Sequence, residues 1–330
     1  MGALTGVALG DALGMPTQTL SRQEIAGTYG RVHGFVAPVQ GHPVSHGLQA
    51  AMVTDDTEQT LLLARQLISD PHVFDCQGWA RALLDWEADV RARGLRDLLG
   101  PSSKAALQAL MAGVPLSQTG RKGTTNGAAM RIVPVALATP ACAMTLLVDR
   151  VAETCLVTHN TGEAIGAASA VAMVVSLGIE GAGFEQAVGA ALQAAECGNR
   201  RGAAIGETDM AGRIALALDI ARGGDEAELA LRVGTSVASR DSVAAAFGVV
   251  RLAGGDPWQA GLIAANIGDD TDTIGAIAVA MAGACAGLHA LPEDSVKQLF
   301  HVNHLDLEPL VSALLEIRDM RVADRSRKAS

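Results

Sequence analysis

Apolar positions along this chain recur at the helical period and hardly anywhere at the alternating period of a strand. Phe184, Val188, Ala191, Leu192 and Ala195 fall at i, i+4, i+7, i+8 and i+11, which puts them on one face of a helix. Val296, Leu299 and Phe300 repeat that spacing. After Asp256, Pro257 sits where a first-turn proline is tolerated, Trp258 and Leu262 carry an apolar face, and Gly268 marks the stop. The runs Leu61 to Ile68 and Ile274 to Leu291 predict two further helices. The pattern therefore predicts an all-α fold. With helices averaging about 11 to 12 residues, a chain of 330 residues holds well over ten of them.

No Pro/Gly/Ser linker, composition shift or solenoid-length repeat divides the chain, so one compact domain over residues 1–317 is expected. Residues 318–330 are charged and weakly patterned, and are expected to fray. Ala is abundant and the 37 glycines exceed the usual share of roughly 7 %, a composition that suits closely approaching helices. The eighteen residues from Ile274 to Leu291 carry no charge, yet ten are Ala or Gly and acids directly precede them. A helix buried in a protein core is the expected reading, not a membrane span.

A net charge of -10, with no interleaving of Lys or Arg with aromatics, argues against nucleic acid as a partner. Five cysteines, at 76, 142, 155, 197 and 285, form no zinc or disulfide spacing and read as buried thiols in a reducing compartment. Met1 to Gly14 is apolar but contains Asp11 and lacks a basic start, so it does not read as a signal peptide, and a cytoplasmic location is expected. The histidines give no HExxH pair, and the chain has no GxSxG and no P-loop.

Two acidic clusters stand far apart: Thr54, Asp55, Asp56, Thr57, Glu58, and Asp269, Asp270, Thr271, Asp272, Thr273. Each precedes an apolar helical run. One reading is a helix start, with Thr54 or Asp55 capping the first helix and Asp270 or Thr271 the second. The other is a shared ion site, because carboxylates and threonine hydroxyls are the hard donors that magnesium and manganese prefer. Were the clusters to meet, like charges about 4 Å apart would repel by roughly 4 kcal/mol per pair at an effective dielectric near 20. Divalent cations would remove that penalty. Three smaller segments join them: Asp11 between Gly10 and Gly14, read as helix packing with a cap; the small-residue loop Gly123 to Met130; and His159, ahead of an apolar run capped by Asn160 or Thr161.

Taken in order, these segments resemble the ADP-ribosylglycohydrolase family, which contains the dinitrogenase reductase activating glycohydrolases. The resemblance runs through GxxxGxxxGDAxG at Gly2 to Gly14, VTDDTE at Val53 to Glu58, TNGAAMR at Thr125 to Arg131, THNTGEA at Thr158 to Ala164 and DDTDTIGA at Asp269 to Ala276. It implies an orthogonal all-α bundle with two Mg2+ or Mn2+ ions in a central cleft, hydrolysing an N- or O-glycosidic bond at ribose C1. It implies Thr54, Asp55, Asp56, Asp270, Asp272 and Thr273 as metal ligands and Asp55 or Asp56 as the base. Asn126, Gly127 and Met130 match the substrate loop, and His159 matches a histidine near bound ADP-ribose. Carboxylates stabilise the oxocarbenium-like state of such a cleavage, and the metals would orient ribose hydroxyls and activate water.

The chain departs from the family pattern at three places. Gln18 stands where many relatives have Glu, Asp269 stands where the usual pattern has glycine, and Asp97 falls near, but not in clear register with, an acid that some relatives place before a stretch like Gly100 to Ser103. The resemblance implies an ADP-ribosylated protein as substrate, arginine-linked in the bacterial branch. No aromatic lies between Trp86 and Phe184, which motivates a small ribosyl compound such as a nucleoside as the alternative substrate. A non-catalytic ADP-ribose binder or structural protein on the same fold is the third reading.

Overall fold

The structure, a computed structural model, describes residues 1–95, 99–205 and 209–329. Its helices are α1 (Gly2–Gly14), α2 (Arg22–Tyr29), α3 (Asp55–Ser69), α4 (Cys76–Ala92), α5 (Pro101–Met111), α6 (Leu116–Thr119), α7 (Gly127–Met130), α8 (Val133–Ala138) and α9 (Met144–Cys155). There follow α10 (Gly162–Ile179), α11 (Phe184–Asn199), α12 (Met210–Ala221), α13 (Glu226–Val233), α14 (Ser239–Leu252), α15 (Pro257–Ile267), α16 (Thr271–Ala286), α17 (Glu293–Asn303) and α18 (Glu308–Ala329). Among the described residues there is no strand, only two isolated bridges, Thr125 with Ala238 and Thr161 with Ala203. The fold is all-α and forms a single domain.

Helices α1, α10 and α16 are buried all or almost all round, as predominantly apolar helix surfaces require. Helix α10 is long and apolar enough to cross a membrane by length and composition, yet most of it lies inside the protein. Helix α16 ends at Ala286, where Gly287 adopts φ +84°, so the apolar run to Leu291 is not one helix. Asp256 caps α15 through the Gln259 amide, with Pro257 in the first turn and Gly268 as the stop.

Helix α1 lies antiparallel on α16 along a stripe of glycines. A Cβ at Gly2, Gly6, Gly10 or Gly14 would come within 2.2, 2.4, 2.1 and 2.3 Å of the carbonyl oxygens of Gly283, Val279, Gly275 and Thr271. The neighbours are backbone and cannot yield, so only glycine permits this approach. At the end of the stripe, Thr17 Oγ1 donates to Ala265 O at 2.8 Å and lies 3.0 Å from Thr271 Oγ1, which in turn bonds Gly14 O. This packing holds the last turn of α1, which carries Asp11, beside the first turn of α16.

Two expectations change. The charged end does not fray at Arg318 but continues α18, because Arg318 is buried and donates to Ala136 O, Thr139 O and Ser176, while Arg321 donates to Ala138 O, Thr139 Oγ1 and Pro71 O. No cysteine forms a disulfide among the described residues, and they are not uniformly buried: Cys155 is, Cys76, Cys197 and Cys285 are half-buried, and Cys142 is exposed.

Candidate active site

Helix α3 begins without a side-chain cap of its own, since the Thr54 hydroxyl does not bond back to its helix. The cap comes from α1. Asp11, fully buried, accepts hydrogen bonds from Thr54 N at 2.9 Å, Thr54 Oγ1 at 2.8 Å, Thr57 N at 3.1 Å and Thr57 Oγ1 at 2.5 Å. One carboxylate thereby satisfies two orphan amides and fixes two hydroxyls. Burial pushes Asp11 up to about 6 against the downward pull of those four bonds. Helix α16 likewise starts at Asp270 with no side-chain cap. Neither N-cap side chain caps its own helix, although Asp272 Oδ1 accepts from the first-turn amide of Thr273 at 3.0 Å, so helix capping accounts for only part of these acids.

The fold brings the clusters together. Thr273 Oγ1 lies 3.4 Å from Asp56 Oδ2 across a sequence separation of 217 residues. Burial first, then mutual repulsion, raises three of the acids well above the usual carboxylate range: Asp55 through Asp11 and Asp270, Asp56 through Asp55 and Asp272, and Asp272 through Asp270 and Asp11. Asp270 is pushed up to about 7 by burial, although hydrogen bonds from Asn126 and Thr273 draw it down. Asp56 Oδ1 is buried with no hydrogen-bond partner. Among the described residues these carboxylates face one another without closing into a cage of three or more around one point. Hard oxygen donors, mutual repulsion and an orphaned carboxylate oxygen together form a donor set that suits Mg2+ or Mn2+.

A cavity of about 170 Å³ opens beside these groups, lined among others by Asp55, Asp270, Asp272, Thr273, Asn126, Gly127 and Met130. Thr54 and Asp56 are buried behind it, at 1 % exposure each. The Gly123 to Met130 loop reaches the cavity by lying directly on residues 156–160. A Cβ at Gly123 would come within 2.1 Å of Thr158 O, and one at Gly127 within 2.9 Å of His159 Cε1. The loop glycines therefore serve contact with the protein's own backbone and with His159, while Gly127 also lines the cavity. The loop is also tied to α14 by Asn126 N to Val237 O and Ser239 N to Thr124 O. The Asn126 side chain donates to Asp270 Oδ2 and to Ser242 Oγ. His159, at 0 % exposure, sits beneath the loop and not among the cavity-lining side chains. Burial, reinforced by Arg131, drives its pKa well below the ordinary histidine value. Thr161 is the cap of α10.

Gln18 and Asp269 have local explanations. Gln18 lines the cavity and its Nε2 donates to Ser45 Oγ at 3.0 Å, a bond that a carboxylate cannot donate. Asp269 holds φ +64°, a left-handed conformation that glycine takes freely and Asp tolerates. It clasps the turn after α1, with Thr19 N donating to Asp269 O at 2.7 Å and Asp269 N to Leu20 O at 2.8 Å. Asp97 lies outside the described residues. Arg131, which ends the TNGAAMR match, and Gln59 are buried and hydrogen-bonded to each other, and neither carries a role in the sequence reading; an arginine ending the uncharged, small-residue TNGAAM run was the available signal.

The profile of the ADP-ribosylglycohydrolase family matches residues 1–323. This chain belongs to that family. The uncharacterized protein YegU of Escherichia coli is 33 % identical over 328 residues, covering 98 % of each chain. The ADP-ribosylarginine hydrolase Tri1 of Pseudomonas putida is 26 % identical over 92 % of this chain and 75 % of its own length. A solved structure described as an ADP-ribosylglycohydrolase-related protein complex superposes with a TM-score of 0.69 at 26 % identity, covering 96 % of both chains.

Proposed function

We propose that this ADP-ribosylglycohydrolase is a metal-dependent hydrolase of the glycosidic bond at ribose C1, with N-linked ADP-ribosyl-arginine on protein as its foremost substrate. The observation that carries the reading is the convergence of Asp55, Asp56, Asp270, Asp272 and Thr273 from two distant helix starts at one cavity. Thr54, Asp55, Asp56, Asp270, Asp272 and Thr273 would hold two divalent cations, which when bound would offset the carboxylate charge and orient ribose hydroxyls. Asp55 lines the cavity and Asp56 is buried at 1 % exposure, which supports Asp55 over Asp56 as the group that would take a proton from attacking water, with Asp56 holding a cation. The carboxylates also stabilise positive charge developing at C1. Asn126 holds Asp270 in place from the loop side.

A second reading is favoured by the cavity itself. At about 170 Å³ it falls below the roughly 300 to 1,000 Å³ of ordinary ligand pockets, and none of its described lining residues is aromatic. A small ribosyl compound or nucleoside fits that volume better than a whole ADP-ribose. Purified protein with Mn2+ or Mg2+, assayed on ADP-ribosyl-arginine beside a nucleoside panel, separates the two. Turnover of ADP-ribosyl-arginine supports the first reading, turnover of the panel alone supports the second, and turnover of neither contradicts both in favour of a non-catalytic binder.

A further inference from the structure

The loop beside the cavity rests on a hydrogen-bonded chain whose direction is fixed from one end. Arg131, at 2 % exposure, donates through Nη1 to Gln59 Oε1 and through Nη2 to Thr158 Oγ1 at 2.8 Å, and its Nη2 also lies 3.4 Å from His159 Nδ1. Its guanidinium carbon sits 5.3 Å from the centre of the Trp79 ring, so the cation is held on its other side as well. A guanidinium only donates. The ring nitrogen facing it, His159 Nδ1, must therefore be the unprotonated one. Thr158 Oγ1, which accepts from Arg131, lies 2.8 Å from the same Nδ1 and turns its own proton toward it.

A neutral imidazole carries one N–H, and with Nδ1 accepting, that proton lies on Nε2. Nε2 is 3.1 Å from Thr125 Oγ1, which must accept it. The Thr125 hydroxyl then has one proton left to give. No acceptor takes it among the described residues, and Thr125 lines the cavity beside Asn126 and Gly127. We propose that Thr125 is a substrate-binding residue, a one-way donor to an oxygen of the bound ribosyl group, and that Arg131 and His159 are positioning residues that set its direction. The binding part rests on the ribosyl reading of the site; the direction of the chain does not.

The test has two arms on the whole protein. The first is 15N NMR of histidine-labelled protein, which reads the direction without any substrate. It should show His159 with a protonated, pyrrole-like Nε2 and an unprotonated, pyridine-like Nδ1; the opposite tautomer, or an imidazolium at neutral pH, overturns the inference. The second arm compares Thr125→Val, Thr125→Ser, His159→Asn and His159→Gln in steady-state kinetics on the substrate that wild type turns over, and in calorimetric binding of ADP-ribose and ribose. Gln carries an amide N–H out to the position of Nε2, whereas the shorter Asn does not.

Thr125→Val and His159→Asn should raise KM, or weaken ligand binding, roughly tenfold with little change in kcat, about the strength of one hydrogen bond. Thr125→Ser and His159→Gln should restore it. Equal losses in His159→Asn and His159→Gln, or no loss in Thr125→Val, would overturn the positioning. A wild type that neither turns over nor binds any ribosyl compound would overturn the ribosyl reading and Thr125's binding role, while the tautomer stands or falls on the NMR alone.

Discussion

Asp56 has one buried carboxylate oxygen without a partner and the other 3.4 Å from Thr273 Oγ1. A buried, unpaired carboxylate is costly unless a cation balances it. Asp56→Ala and Asp272→Ala should therefore abolish metal-dependent turnover while leaving far-ultraviolet helicity largely unchanged; full turnover in either would contradict the site. Asp11 reads differently. Asp11→Asn keeps one acceptor oxygen but replaces the other with a donor, so the cap of α3 loses bonds worth on the order of 1 to 3 kcal/mol in total. A lower melting temperature with weakened activity is expected, measured by calorimetry and assay together.

His159 gives a pH prediction with a definite sign. Its folded pKa lies well below the unfolded value near 6.5. Above about pH 6.5 both states are neutral and the full contribution is present; below it the unfolded chain binds a proton that the folded chain refuses, so stability is lost as pH falls toward the folded pKa. The slope from this group is about 1.4 kcal/mol per pH unit. The aspartates of the cleft, raised in the fold, contribute with opposite sign. The difference between wild type and His159→Gln isolates the histidine: denaturant stability measured from pH 7 down to 5 should fall less steeply in the variant.

At the scale of elements, the glycine stripe of α1 sets how near Asp11 comes to α16. Gly6→Ala and Gly10→Ala press a methyl onto backbone carbonyls, and overpacking of this kind costs roughly 1 to 3 kcal/mol. Gly189→Ala, in α11 with nothing within 4 Å, should be neutral or stabilising by about 0.5 to 1 kcal/mol. Thermal unfolding of the three variants checks this; equal effects would mean that the stripe does not govern the packing.

Element placement was legible wherever a local rule decides it. The apolar spacing of Phe184 to Ala195 and the Asp256, Pro257 and Gly268 punctuation of α15 need no tertiary knowledge. The course of the last helix was not legible, because Arg318 and Arg321 look like solvent residues until the carbonyls of Ala136 and Ala138 are placed beside them. The same holds within the site. Repeated acids ahead of two helices signal unusual charge in the sequence alone, whereas the cap that Asp11 lends to α3, and the burial of His159 under the Gly127 loop, exist only once distant segments meet.

At the scale of the whole molecule, α3 and α16 start at one cavity, held there by α1, and the loop from Gly123 to Met130 covers its far side. The central claim is that these two helix starts make one divalent-cation site for a ribosyl substrate. An anomalous difference map from a crystal soaked with Mn2+ and ADP-ribose tests it most directly. The account predicts manganese peaks between the Asp55/Asp56 and Asp270/Asp272 carboxylates, with ribose density against Asn126 and Gly127. A map without metal there, or with metal and ribose bound elsewhere, would contradict it.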